Sequence, residues 1–412
     1  MKVLIFNCGS STVKSQLYEM PEASVLSRAL VDRIGSNTGT LRIEWDGTEN
    51  AFPRSVSTHA EGVRLILNSM TEEHGVLANP AEIDAVGHRV VHGGEAFSES
   101  VRIEADVIRV IERYASLAPL HNPPNLAGIR AVSDVLPSVP QVACFDTAFH
   151  TTLPPKAYLY ALPYELYARD GIRRYGFHGT SHRYVARRAA KMLGRPLDKL
   201  NAITCHLGNG CSLAAIRQGR SVDTSMGLTP LEGLVMGTRT GDVDPAVLLH
   251  LADHGYTPSM LNDLCNKQSG LLGISGVSND MRTLERLAAE GHEHAGLAID
   301  IFNYRLKKFI GAYLAVLGHV DALVFTGGIG EHSAQTRSGS CSGLESLGIR
   351  IDSTANEDVH GEGRISREDS PVSVLVIPTD EERVIAEETY ELLSRQEIQH
   401  APINGLPASE SR

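Results

Sequence analysis

The sequence predicts an α/β fold made of two related domains. Three observations carry that expectation. A strand, a Gly-rich loop and a returning strand occur twice, as KVLIF–NCGSST–VKSQLYE at residues 2–19 and NAITC–HLGNGCS–LAAIRQG at residues 201–219. Repetition at that distance points to duplicated domains, not to a short-period solenoid. Two further runs, Ala322–Phe325 and Val372–Ile377, read as buried strands, each ending in a polar or Gly-rich turn before a helix. A chain of 412 residues is also too long for one ordinary core and comfortable for two.

The helical pattern follows from apolar spacing. Thr58–Thr71 carries Val63, Ile66, Leu67 and Met70 on one stripe. Pro124–Leu136 has its proline near the start, where the first turn tolerates it. Ile299–Leu317 repeats Phe302, Leu306, Phe309, Ile310, Tyr313 and Leu314, a core face. His292 and His294 read as solvated residues at a helix start. The last ~15 residues, rich in Pro, Ser and Gln, read as a frayed tail.

Composition excludes several classes. A net charge of −11 with 21% charged residues argues against non-specific nucleic-acid binding, which needs a basic face. It does not argue against small anions, because a few arginines in a cleft set a local field of opposite sign. Six cysteines without a CxxC pair read as reduced thiols of a cytoplasmic protein. Cys8 and Cys211 stand within glycine loops, where reactivity is open. Val3–Phe6 follows the first residues directly, without the pattern of a signal peptide. The most apolar long stretch, Phe309–Phe325, is broken by Gly311, Gly318, His319 and Asp321 and is too short and polar to span a bilayer.

Five segments point at phosphate. In Asn7–Lys14, Gly9 permits a tight turn, Ser10, Ser11 and Thr12 offer hydroxyls and N–H groups, and Lys14 adds charge. No Walker pattern is present, and a capped hairpin turn accounts for this segment equally well. In His206–Gly210, Gly208 and Gly210 flank Asn209, so backbone can approach a polyphosphate; the same residues signal a hairpin, and the two roles are compatible. In Phe325–His332 a buried strand runs into Gly327, Gly328 and Gly330 before a helix, which suits close approach of a nucleotide. Gly87–Gly94 and Thr224–Pro245 each hold an arginine, Arg89 or Arg239, in a Gly-rich stretch with few other charges. Arginine's planar fork matches carboxylate and phosphoryl oxygens.

Two histidine clusters stand out, His178 with His182 in RRYGFHGTSH and Asp146 with His150 in FDTAFHTTLP. Histidines spaced i, i+4 can bind zinc, but no glutamate of an HExxH motif lies between them and Gly179 weakens a helix there.

NCGSSTVK, GHRVVHGG, LAPLHNPPN, FDTAFH, YGFHGTSH, HLGNG, the long segment from DTSMGLTPLEG to GDVDP, GGIGE and IPTDEE stand in the order found in acetate kinases. From residue 1 to about 395 the chain resembles that family, within the superfamily of sugar kinases, actin and heat-shock ATPases. The resemblance implies two related α/β domains of the actin-like ATPase and sugar kinase type with a nucleotide cleft between them. It assigns residues 1–147 with about 382–397 to one domain, 148–381 to the other, and 398–412 to a disordered tail.

By resemblance, Asn7 and Glu381 bind Mg²⁺, with Mn²⁺ as a substitute, and Arg89 holds the acid's carboxylate. Asp146 is the essential acid near the reacting groups, and His178 and Arg239 stabilise the transferring phosphoryl group. Lys14, His206, Leu207, Gly208, Asn209, Gly210, Asp280, Met281, Arg282, Gly327, Gly328, Ile329, Gly330 and Glu331 serve the nucleotide, ATP or ADP. Val91, Leu120, Phe177 and Pro230 form the small apolar pocket for acetate. A homodimer is implied. The chain departs from the family's usual residues at Thr12, Cys211, His332 and Asp380, where Ser, Ala, Asn and Asn are common.

ATP's γ-phosphoryl group and a carboxylate repel each other, at ~4 Å by ~4 kcal/mol for an effective dielectric near 20. The two arginines offset that. An acid with a pKa of about 4 to 5 is already ionised at neutral pH and needs no general base. The expectation is therefore that Asp146 orients its partners and does not carry a proton. Two other readings use the same loops. A propionate or butyrate kinase differs only in the acid pocket. A nucleotide-switched binding module would not need the two arginines beside a small apolar pocket.

Overall fold

The computed structural model describes residues 1–71, 75–116, 118 and 121–400. Two sheets organise it. The first contains β1 (Lys2–Cys8), β2 (Thr12–Glu19), β3 (Ser24–Asp32), β4 (Thr40–Trp45), β5 (Thr48–Pro53), β6 (Ala85–Val90), β7 (Val101–Arg102) and β8 (Gln141–Phe145), in the order β5-β4-β3-β2-β1-β6-β8-β7. The second contains β9 (Ala202–Leu207), β10 (Cys211–Arg217), β11 (Arg220–Thr224), β12 (Ala322–Thr326), β13 (Gly363–Arg364) and β14 (Ser373–Val376), in the order β11-β10-β9-β12-β14-β13.

Without β4 and β5, the two sheets have one plan. Each starts with an antiparallel meander, β1–β3 or β9–β11. Each continues through two parallel neighbours, β6 and β8 or β12 and β14, and ends on a short antiparallel edge strand. The repeat read from the sequence is thus a repeat of the whole sheet. Helices pack on both faces of the parallel strands, so β1 and β12 read as apolar runs, whereas β6 (AVGHRV) carries the polar His88 and Arg89. Val3–Phe6 and Ala322–Phe325 are fully buried.

The helices fall on the expected stripes with shifted ends. His59–Thr71 buries Val63, Ile66, Leu67 and Met70. Asn122–Val135 starts two residues before the expected proline. Glu293–Leu317 starts earlier than the apolar pattern, because His292 caps it by accepting a hydrogen bond from the Ala295 N–H at 3.1 Å. The helix Glu381–His400 follows β14 yet returns to the first sheet, where Ile385, Ala386 and Leu393 join Val3, Ile5, Ala85 and Val142. Gly87 makes that approach possible, since a Cβ there would lie 2.6 Å from Thr389 Oγ1. The tail expected over 398–412 falls mostly on residues 401–412, outside the described residues. Among the described residues no helix is long and apolar enough to cross a membrane.

Candidate active site

Strand register builds the first half of the site. Phe6 pairs with His88 and Arg89 with Cys144, so Asn7, Arg89 and Asp146 stand together at the carboxyl ends of β1, β6 and β8. Ligands of open α/β sheets bind at such ends. Arg89 donates through Nε and Nη2 to the two oxygens of Asp146, at 3.2 and 2.5 Å, and through Nη1 to Asn7 Oδ1 at 3.4 Å. Its Nε lies 3.5 Å from Glu381 Oε2, at the start of the helix that returns to this sheet. Asp146 is 1% exposed, Arg89 19% and Glu381 15%. Burial pushes the carboxyls of Asp146 and Glu381 up. Burial alone would lower Arg89, but Asp146 and Glu381 outweigh it and hold the guanidinium firmly charged. Lys14 stands opposite Asn7 on β2, and its charge reaches Glu381.

The second half begins one peptide away. The Gly179 N–H donates to the Asp146 carbonyl at 2.9 Å, and a Cβ on Gly179 would lie 2.2 Å from that oxygen. Gly179 therefore opens the helix Gly179–Met192 and does not weaken it, which corrects the sequence reading. His178 stands immediately before this helix, without a side-chain capping bond, at φ 56°, a left-handed conformation that costs energy outside glycine. Its ring stacks on His206, at the end of β9, with centroids 4.2 Å apart. Arg239 lies in the loop before the helix Pro245–Asp253, its Nη1 donating to the Pro230 carbonyl at 2.9 Å.

His178 and Arg239 converge on Gly210. A Cβ there would lie 3.4 Å from Arg239 Nη1 and 3.5 Å from His178 Nε2. Among the described residues no carboxylate forms an ion pair with Arg239, and burial lowers its pKa. Burial, then the fields of neighbouring histidines and arginines, holds His178 well below the usual imidazole range, and burial takes His206 down to about 4. Both rings are neutral at neutral pH. The site thus offers an arginine without its own anion and two neutral imidazoles beside a backbone loop, a setting that favours an anion.

The two expected nucleotide loops abut. Gly327 has φ 75°, and a Cβ on it would lie 2.8 Å from the Leu207 carbonyl oxygen, so only glycine lets the helix Gly327–His332 start against the His206–Gly210 turn. Gly328 faces open space, Gly330 is buried, and Ile329 packs on the core. Asn209 accepts from Asn279 Nδ2 at 3.0 Å, next to Asp280. Asp280 caps the helix Met281–Ala289, Met281 is buried, and Arg282 is 84% exposed. Glu331 is engaged within the protein: its Oε1 accepts from the N–H groups of Gly327 at 3.0 Å and Thr379 at 3.2 Å.

Val91 and Phe177 share one buried cluster with Met226, and Pro230 is tied to it through Arg239. Leu120 lies outside the described residues.

The sequence pattern of the acetokinase family matches residues 2–387. The chain belongs to the acetokinase family. It is 52% identical over 396 residues to an acetate kinase of Halothermothrix orenii, covering 95% of this chain and 100% of the other. The crystal structure of Porphyromonas gingivalis acetate kinase matches with a TM-score of 0.91 at 48% identity, over 95% of this chain and 99% of that one. A propionate kinase from Francisella tularensis matches with a TM-score of 0.90 at 43% identity, over the same shares.

The donors of this acetokinase suit a hard cation. Asn7 Oδ1 and the Glu381 carboxylate both face the Arg89 guanidinium, and desolvation raises the Glu381 carboxyl, so added positive charge is favoured there. Mg²⁺ is held through one or two carboxylates together with substrate phosphates and water. Among the described residues no group of three or more His, Cys, Asp or Glu could hold a metal ion of any kind, so the protein supplies only part of a cation's shell. Cys8 and Cys211 end and begin strands, are buried, and are pushed by burial to about 12, so both are inert as nucleophiles.

Three groups of the site were not singled out in the sequence. His121 precedes the helix Asn122–Val135, and burial, then the charges of Arg89 and Arg239, pushes it to about 4. Asn125 joins the two arms of the first half, accepting from the Val91 N–H at 3.2 Å and donating to the Cys8 carbonyl at 2.8 Å. Ser212 lies beneath His178. His121 and Asn125 belong to the HNPPN signal, whereas a serine inside an apolar strand carries none.

Proposed function

We propose that this acetokinase transfers the γ-phosphoryl group of ATP reversibly to acetate, giving acetyl phosphate and ADP by direct in-line transfer. One observation carries the reading: His178 Nε2 and Arg239 Nη1 meet beside Gly210, within reach of the charge of Arg89. Arg89 orients the acid's carboxylate and Asp146 fixes the plane of its guanidinium. His178 and Arg239 donate to the equatorial phosphoryl oxygens as charge spreads over them. Asn7 and Glu381 hold Mg²⁺, which when bound neutralises charge on the phosphate oxygens. The turns His206–Gly210, Asp280–Arg282 and Gly327–Glu331 line the nucleotide side, with Lys14 at its edge. The acid arrives ionised, so no residue needs to take a proton.

Further parts of this reading concern assembly and place. The helix Pro245–Asp253 buries none of its residues although it is apolar, leaving Val247 44% and Leu249 68% exposed beside Met260 at 49%. Such a patch needs cover, and a second copy of the chain supplies it. Leu249→Asp should then yield monomers in light scattering; an unchanged dimer would move the interface elsewhere. Six buried free thiols suit the cytoplasm. We take residues 1–147 with the returning helix as one domain and 148–381 as the other.

The test is trapping of acyl phosphate by hydroxylamine with ATP, Mg²⁺ and acetate, propionate or butyrate. Acetyl hydroxamate, with kcat/KM falling as the acid lengthens, supports the reading. The likeness to a propionate kinase gives a second one, in which propionate is the better substrate. No hydroxamate from any acid, with slow ATP hydrolysis, would overturn both.

A further inference from the structure

Beneath His178 lies a chain of buried side chains. Ser212 Oγ is 2.8 Å from His178 Nδ1 and 2.8 Å from His182 Nε2. His182 Nδ1 is 2.7 Å from Thr204 Oγ1. Ser212, His182 and Thr204 are all fully buried. The fold imposes the spacing: His182 is one turn along the helix from His178, and Ser212 and Thr204 lie on the paired strands β10 and β9.

Burial holds His182, like His178, well below the usual imidazole range, so each ring is neutral with one N–H, and the continuous chain can run in two directions. In one, the Thr204 hydroxyl donates to His182 Nδ1, His182 Nε2–H donates to Ser212, and the Ser212 hydroxyl donates to His178 Nδ1. His178 then carries its hydrogen on Nε2, the nitrogen facing Gly210. In the other, His178 donates from Nδ1, and Nε2 presents a lone pair that would repel a phosphoryl oxygen.

Thr204 decides between them. In the second direction its hydroxyl accepts from His182, and its own hydrogen needs another acceptor. Among the described residues Thr204 Oγ1 has no hydrogen-bond partner except His182. A hydroxyl hydrogen buried without a partner forfeits a full hydrogen bond, whereas the first direction gives every donor of the buried chain an acceptor and leaves only the His178 Nε2–H, which faces the cleft at Gly210, for a ligand. We propose that Thr204, His182 and Ser212 are positioning residues that hold His178 in its Nε2–H tautomer, aimed as a donor at the transferring phosphoryl group. The proposal deepens the functional reading above and rests on it for the role of His178.

The tautomer can be read directly. Two-bond ¹H–¹⁵N spectra of the ¹⁵N-histidine-labelled enzyme without substrate, with His178→Gln as assignment control, should show His178 and His182 both protonated on Nε2. Protonation of His178 on Nδ1 would overturn the proposal. Thr204→Val keeps the side chain's shape and removes the donor. It should give His178 a mixed tautomer and lower kcat about tenfold, the worth of one hydrogen bond, with KM for the acid unchanged. Thr204→Ser should restore both. A Thr204→Val enzyme with wild-type kcat and tautomer would refute the relay, and if that variant does not fold, the wild-type spectrum decides alone. Because the spectra need no substrate, absence of hydroxamate would sink the functional reading without touching this measurement.

Discussion

Arg89 is held by Asp146 through a two-point contact, Nε to Oδ1 at 3.2 Å and Nη2 to Oδ2 at 2.5 Å, with the carboxylate 1% exposed. Such a fork fixes the plane of the guanidinium as well as its place. Asp146 spends both oxygens on it, which supports the proposed orienting role of the aspartate. The same residue's carbonyl receives the Gly179 N–H, so one position ties Arg89 to the helix that begins beside His178.

Asp146→Asn should therefore lower kcat/KM for acetate by about 10²-fold, since losing one partner of a buried pair costs about 3 kcal/mol. The shape of the pH–rate profile should stay the same. Loss of a basic limb with normal metal affinity would instead make Asp146 a proton carrier.

Replacing His178 by Ala should lower kcat far more than it raises KM, by about 10²-fold or more, because its donor strengthens as charge develops. Arg239→Met should cost about 10³-fold in kcat. A rise in KM with kcat intact would mark either residue as a ground-state binder.

Acid should destabilise the fold through buried imidazoles. Burial holds His88, His92 and His150 at about 4 in the folded protein, against 6.5 in an open chain. The unfolded state then binds more protons between those values, so stability is present above about pH 6.5 and falls as pH drops towards 4. Each such group should cost about 2 kcal/mol at pH 5 relative to pH 7. Urea unfolding at the two pH values measures the sum, and equal midpoints would show these rings to be already protonated in the native state.

The proposed acid pocket predicts a change in preference. Val91 is 4% exposed and Phe177 1%. Val91→Ala should raise the ratio of kcat/KM for propionate over acetate about tenfold, the worth of roughly one methylene. An unchanged ratio would remove Val91 from the pocket wall.

Much of this was legible residue by residue. The repeated strand–loop–strand units, the glycine turns and the two lone arginines stand out because each breaks a local rule of spacing or charge. The polar partners beneath them do not. Thr204 and Ser212 sit inside apolar strands, where a single hydroxyl looks like ordinary burial until a ring from another element is brought against it. The place of Gly179 is hidden from the sequence for the same reason, since its steric need comes from the Asp146 carbonyl 33 positions earlier in the chain.

Strand period, turn chemistry and glycine content act over a few neighbouring residues, so the α/β class, the duplication and the Gly-rich loops could be read from the chain alone. That Asn7, Arg89 and Asp146 share one strand end, that His178 and Arg239 meet at Gly210, and that Thr204 sets the direction of the chain under His178 emerged only once the chain was packed. Those relations depend on strand register and on which hydrogen-bond partners burial leaves available, and both are properties of the packed chain.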